Sequence, residues 1–177
     1  MRASEFRPGA GARRVLGMAT LACLTGCFLA KLLPDTRTAA EHARDILSRC
    51  AAFPEEEMRA LVGPSLVDTV EPAYAYVSSG PADREARLRG ARLHLRPAPG
   101  LSRESIQRSL ECHQAHVVLG ASPRVDADPY VLPGVWLDIG ADSEDDGFVV
   151  TVQTSSFDDA KSVLQRARLF VKKTKNP

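Results

Sequence analysis

Hydrophobic positions along the chain change period several times, and each period predicts an element. Ala39, Ala43, Ile46, Leu47 and Cys50 fall on one face at helical spacing. Thr38-Ala-Ala-Glu41 ahead of them has the form of a capping box, in which Thr38 accepts from a free amide while Glu41 reaches back, so a helix is predicted to begin there. Pro54 stops it and opens a short second helix, with Glu55-Glu56-Glu57 in its first turn, Ala60-Leu61-Val62 behind and Gly63-Pro64 after it. Pro64, Pro72 and Pro81 predict irregular structure over residues 64–87, with a strand only at 73–77. From Gly90 onward, Ala91, Leu93 and Leu95 alternate with Arg92, His94 and Arg96, which describes a half-buried strand ended by Pro97 and Pro99-Gly100.

Ser102 then caps a helix that runs to about Leu119 and is closed by Gly120. Leu110, His113 and Val117 lie within about 40° of Ile106 on its wheel, whereas Glu104, Gln107, Glu111 and Gln114 gather on the other side. Cys112, His113 and His116 fall inside or at the border of the apolar arc. Val135, Leu137 and Ile139 alternate, residues 140–147 form an acidic turn, and Phe148, Val150 and Val152 alternate again, which together predict a hairpin. Ser156-Phe-Asp-Asp159 caps a last helix with a stripe of Ala160, Val163, Leu164, Ala167 and Val171, and Lys172, Lys173 and Lys175 suit its negative end. No internal repeat is visible. The order predicts an α+β fold, a small antiparallel-rich sheet covered on one face by helices and preceded by an N-terminal helical segment.

The N-terminus follows none of these periods. Arg2, Arg7, Arg13 and Arg14 precede an apolar run over residues 15–24, and the small residues Thr25 and Gly26 precede Cys27, the three parts of an export signal. Leu24-Thr25-Gly26-Cys27 resembles the lipobox of bacterial lipoproteins, an aliphatic residue and two small ones before the cysteine. The resemblance implies that residues 1–26 are removed as a signal peptide and that Cys27 becomes the first residue, acylated on its sulfur and often on its nitrogen, palmitate being a typical chain. It further implies a lipid-anchored tether over residues 27–37 and a single periplasmic domain over 38–173. Phe28 after Cys27 favours the outer membrane under the usual sorting rule. Cys23 fits less well, since Thr20-Leu21-Ala22 lacks the aliphatic residue. An uncleaved signal anchor is the alternative: residues 15–30 carry no charge and Lys31 can snorkel, although a spanning helix wants about 20 apolar residues. A plain secreted chain is the third possibility.

Composition narrows the partners. A chain of 177 residues with 44% hydrophobic and 25% charged residues suits one globular domain. Without residues 1–26 it keeps 19 basic and 21 acidic residues, a net charge near −2 that gives no reason to expect nucleic acid or a polybasic membrane patch. The expected membrane contact is the lipid anchor, with an envelope protein as a further partner.

With Cys23 removed and Cys27 acylated, Cys50 and Cys112 remain. Both sit on core-facing helix positions, and in an oxidising envelope they are expected to form a disulfide worth about 4 kcal/mol by loop closure. Two buried thiols are the alternative, and a metal or redox site is another. Cys112-His113-Gln-Ala-His116 places Cys112 and His116 on one helix face, where they could grip zinc or copper with Cys50 or His113 completing the set. No second Cys-x-x-Cys or His-x-x-x-His supports that set, and His113 and His116 at a core edge donating to carbonyls is the plainer reading. His94, between two arginines on the solvent face of a strand, makes a poor ligand. Asp142, Glu144 and Asp146 before Gly147 resemble the start of a calcium loop, but Gln153 stands where a bidentate Glu is required. Asp126 and Asp128 read as loop residues.

Nucleophile elbows, phosphate-cradling glycine loops and His-Glu-x-x-His are absent from the sequence. Either Trp136 and Tyr130 with Pro133 form an exposed aromatic patch for a partner, or Trp136 covers the second face of the sheet. The stretch from Leu93-His-Leu-Arg-Pro-Ala-Pro-Gly100 to Cys112-His113 also resembles envelope proteins with no assigned activity. The expected function is therefore a membrane-anchored envelope lipoprotein acting as a structural or protein-interaction module, without a cofactor. A periplasmic metal-binding or redox protein using Cys112, His116 and Cys50 is the alternative, and a membrane-tethered enzyme with a dispersed site is the third reading.

Overall fold

The alternation that begins at Gly90 occupies the middle of a four-stranded antiparallel sheet in a computed structural model of the chain, which describes residues 36–50, 63–80, 83–121, 127–145 and 147–175. The export signal, Cys27, most of the tether, the second helix expected at 54–62, Asp126 and Asp146 lie outside these residues. Residues 37–177 group as one unit. Its elements are α1 (Ala39–Leu47), β1 (Val67–Gly80), β2 (Asp83–Leu95), α2 (Arg103–Val118), β3 (Asp138–Glu144), β4 (Gly147–Gln153) and α3 (Phe157–Lys175). The sheet order is β1-β2-β4-β3, and the fold is α+β as its periodicities predict.

The helix caps expected at Thr38 and Ser102 are formed, as is the one at Ser156, whose Oγ accepts from Asp159 N–H at 3.3 Å. Thr38 N–H donates to Glu41 Oε2 at 2.7 Å while Glu41 N–H donates to Thr38 Oγ1 at 3.3 Å. At α2, Ser102 N–H donates to Ser105 Oγ at 2.9 Å and Ser105 N–H donates to Ser102 Oγ at 3.1 Å. Each box satisfies two amides that the first helical turn leaves unpaired.

Period-two alternation sends Ala91, Leu93 and Leu95 of β2, Val150 and Val152 of β4, and Ile139 and Ala141 of β3 to one face. Ile106, Leu110 and Val117 of α2 and Val163, Ala167 and Phe170 of α3 close over them as one core cluster. Leu93, Ile106, Leu110 and Val163 are fully buried. Burial of each such side chain stabilises the fold by about 1.5–3 kcal/mol before the entropy of ordering it is counted.

The sequence carries no repeat, yet the topology does. β1–β2–α2 and β3–β4–α3 follow one plan, and the order β1-β2-β4-β3 relates them about an approximate twofold axis between β2 and β4. Two glycines mark equivalent places. A Cβ on Gly90, at φ +152°, would stand 1.9 Å from the carbonyl oxygen of Val152, and one on Gly147, at φ +159°, 2.2 Å from that of Leu95. The central strands approach so closely at both ends of their pairing that only glycine fits.

Three expectations are corrected. Instead of a strand confined to 73–77, β1 spans 14 residues paired along β2. Pro72 is accommodated because β1 is an edge strand, where a proline nitrogen faces away from the ladder, and the pairing with β2 supplies order that local composition does not signal. β4 pairs with β2 only from Gly90 to Leu95, so the outer parts of β1 and β2 continue beyond it as a two-stranded ribbon. The acidic stretch expected as a turn is largely strand: Asp142 and Glu144 lie on β3, an edge strand whose charges face water. Gln114, placed on the polar side of α2, is fully buried. With its amide nitrogen donating to Leu137 O at 3.2 Å and its oxygen accepting from Leu137 N–H at 2.6 Å, it pins the approach to β3 onto the helix.

Candidate functional site

The cysteines come together first. Cys50, just past the end of α1, is bonded to Cys112 in α2 with a Cα–Cα distance of 5.8 Å across a sequence separation of 62. Ile46 and Leu47 pack against the bridge, and His42 stacks on Trp136 with ring centroids 5.3 Å apart and planes 9° from parallel. The disulfide thus fastens α1 onto α2.

This arrangement dismantles the proposed zinc or copper ligand set of Cys112, His113 and His116. The sulfurs of Cys50 and Cys112 are bonded to each other, so neither offers the thiolate a metal requires. His113 is turned by one helical residue away from Cys112 and meets Asp128, Nε2 to Oδ2 at 2.6 Å. His116 sits half-buried on the same helix. Among the described residues, no group of three or more His, Cys, Asp or Glu side chains is arranged to hold a metal ion.

Asp128 is the hub of a buried polar cluster. Its second oxygen accepts from Tyr130 N–H at 2.9 Å, and Arg166 of α3 donates to the Asp128 and Val131 carbonyls at 3.4 and 3.2 Å. His113 therefore pairs with a carboxylate rather than with a carbonyl, because the 127–132 loop folds back under α2. Burial holds the Tyr130 phenol well above its usual range, and the Asp128 charge adds to that. Ser109, one turn before His113, is fully buried, as is the Tyr130 ring. A serine, a histidine and an aspartate are near one another in the fold, but the serine is sealed inside the core and no substrate reaches it. The cluster locks the loop between α2 and α3.

Chemistry open to solvent lies on the opposite side of the sheet, where none of the described helices packs. His94 points there, with Nδ1 2.9 Å from Glu144 Oε2 and Nε2 3.6 Å from Glu71 Oε2. The arginines beside it in sequence leave it to the carboxylates across the strands. A groove of about 590 Å³ runs over this face, from Tyr74 and Tyr76 of β1 past Arg92 of β2 and Thr151 of β4 to Asp142 and Glu144 of β3. Tyr74 and Tyr76 are 53% and 75% exposed. Asp142 lies 4.0 Å from Arg103.

The aromatic residues singled out in the sequence are elsewhere. Tyr130 packs edge-on against Phe170 in the core at 6.0 Å, and Trp136 is half-buried beneath His42. Neither lies on the open face. Tyr74 and Tyr76 fall in the stretch 73–77 where a strand is expected, but with no partner strand predicted nothing marks them as lining a groove, and Glu71 falls among the prolines read as irregular. Glu144 was hidden within an apparent turn, and Asp142 and Glu144 project from a strand rather than wrapping a calcium loop.

Comparison of the chain with protein-family models, with curated proteins and with solved structures gave no match.

Proposed function

We propose that the chain is an exported bacterial lipoprotein, held to a membrane through acyl groups on Cys27, and that its domain is an interaction module of the envelope. The observation that carries this reading is the Cys50–Cys112 disulfide. Such bonds persist in oxidising compartments and are rare in the cytosol, which agrees with an export signal and lipobox at the N-terminus. No helix among the described residues is long and apolar enough to cross a membrane. Acylation at Cys27 supplies attachment by other means: each buried methylene is worth about 0.8 kcal/mol, and two or three chains hold firmly. A tether of eleven residues from Cys27 to Arg37 spans at most about 40 Å, so the domain works close to the bilayer surface. The open sheet face, with its exposed tyrosines and charged groove, is the surface it offers. Outer-membrane residence, favoured by Phe28, belongs to the same proposal.

Intact mass of the membrane-extracted protein tests the anchor. A chain beginning at Cys27 with added acyl mass is expected, and an unmodified full-length chain overturns it. A photo-crosslinking residue in place of Thr151, examined in intact cells, tests the face: discrete adducts are expected, and their absence removes the interaction role.

A further inference from the structure

We propose that the groove on the open face of the sheet binds a carboxylate-bearing oligosaccharide, with the Arg92 guanidinium taking the carboxylate. The proposal names the ligand of the interaction face and rests on that reading of the face, not on the anchor.

Location argues first. A sheet recognises a peptide at its edge, where main-chain N–H and C=O groups are free to extend the ladder. This groove lies on the face and crosses all four strands, while the unpaired main-chain groups of the edge strands β1 and β3 point outward in the plane of the sheet and not into it. Its aliphatic floor is closed as well: Ala73 and Val149 are 2% and 3% exposed, so the groove has no apolar pocket for the anchor residue of a protein partner.

What it exposes is aromatic and forked-polar. Tyr74 and Tyr76 offer rings to the C–H face of a sugar. Arg92 and Gln153 donate, Asp142 and Glu144 accept, and Thr151 does both. Sugar hydroxyls also do both, and a wall that alternates donors with acceptors matches vicinal hydroxyls. Four strands at about 4.8 Å spacing give the groove a span of about 14 Å, the reach of a trisaccharide.

Charge then selects an acidic sugar. Glu144 and Glu71 both face His94, at 2.9 and 3.6 Å, and Asp142 faces Arg103 at 4.0 Å. Arg92 is the exception. It is exposed in the middle of the groove and makes no side-chain hydrogen bond or ion pair with any described residue. Glu71, opposite Arg92 in the β1–β2 register, is turned toward His94 and forms no ion pair with the guanidinium, which fits a ligand carboxylate by two parallel hydrogen bonds.

Isothermal titration of the detergent-solubilised full chain tests this with trigalacturonate as the acidic probe, maltotriose as the neutral sugar and triglutamate as the acidic peptide. Trigalacturonate is expected to bind saturably and at least about tenfold more tightly than maltotriose, with Arg92→Gln erasing that margin and Tyr76→Ala weakening both sugars. Arg92 is exposed, so Arg92→Gln should melt with the parent, which separates lost binding from lost folding. Equal affinity for the two sugars, insensitivity to Arg92→Gln, triglutamate binding as tightly as trigalacturonate, or no saturable binding of either sugar overturns the proposal. If crosslinks from position 151 persist while both sugars fail, the ligand class falls and the interaction face stands.

Discussion

Removing both halves of the disulfide, as Cys50→Ala with Cys112→Ala, perturbs the domain at one defined joint. The bridge closes a loop across a sequence separation of 62, which includes all of β1 and β2 and more than half of α2. The chain-entropy relation assigns such a loop about 4 kcal/mol at 25 °C. For a domain of this length, each kcal/mol shifts the melting temperature by roughly 2–4 °C, so the double variant should melt about 8–16 °C below the oxidised parent. The loss has a spatial signature too. α1 is held by the bridge, by Ile46 and Leu47, and by the His42–Trp136 stack, whereas the sheet and its two covering helices form a separate core cluster. Amide exchange should therefore rise first and most in residues 39–47, with β2 and β4 protected until global unfolding. Differential scanning calorimetry and exchange mass spectrometry, each run with and without reductant, measure both effects. A variant that melts within about 2 °C of the oxidised parent would refute the loop-closure reasoning. Uniform loss of protection across the sheet would refute the view of α1 as a stapled accessory.

Gly90→Ala places a methyl group 1.9 Å from a main-chain oxygen on a strand that cannot retreat, and chemical denaturation should show a loss of more than about 2 kcal/mol; an effect under 0.5 kcal/mol would mean the strands separate freely there. Asp128→Ala leaves His113 and the Tyr130 amide without their acceptor inside a buried cluster, and urea unfolding should report a loss of about 1–3 kcal/mol for each group left unsatisfied. At α1, the Thr38 amide and hydroxyl hold the Glu41 carboxyl below its ordinary value of 4.5. A depressed folded value means that this capping contribution is present above about pH 4.5 and fades as pH falls through the folded value. NMR shifts of residues 39–42 should show fraying in that acid window, and Glu41→Gln should abolish the pH dependence.

Local chemistry made several elements legible. Thr38 and Glu41, and Ser102 alone, announced two helix starts because caps are formed by residues a turn apart. Leu93, Val150 and Val163 announced their buried faces because period two and period 3.6 are properties of one strand or one helix. Cys50 and Cys112 were legible as a pair once Cys23 and Cys27 were set aside, since both lay on apolar stripes. β1 was legible only at 73–77: Pro72 is a strand breaker everywhere except at an edge, and only the sheet order tells where the edge is. Asp142 and Glu144 read as turn residues because acidic side chains on an edge strand and in a loop look alike from within one segment.

By itself the sequence determined the helix caps, the inward faces of β2, β4, α2 and α3, the α+β class and the cysteine pair, all of which depend on neighbours within a few residues or on a count. Only the tertiary structure decided that His113 meets Asp128 rather than a backbone carbonyl, that His94 meets Glu71 and Glu144 instead of its flanking arginines, and that Arg92, among the described residues, has no side-chain partner between two tyrosines and a row of carboxylates. Those placements depend on strand register, and register is fixed by how two distant segments bury their apolar faces together, a condition that neither segment contains alone.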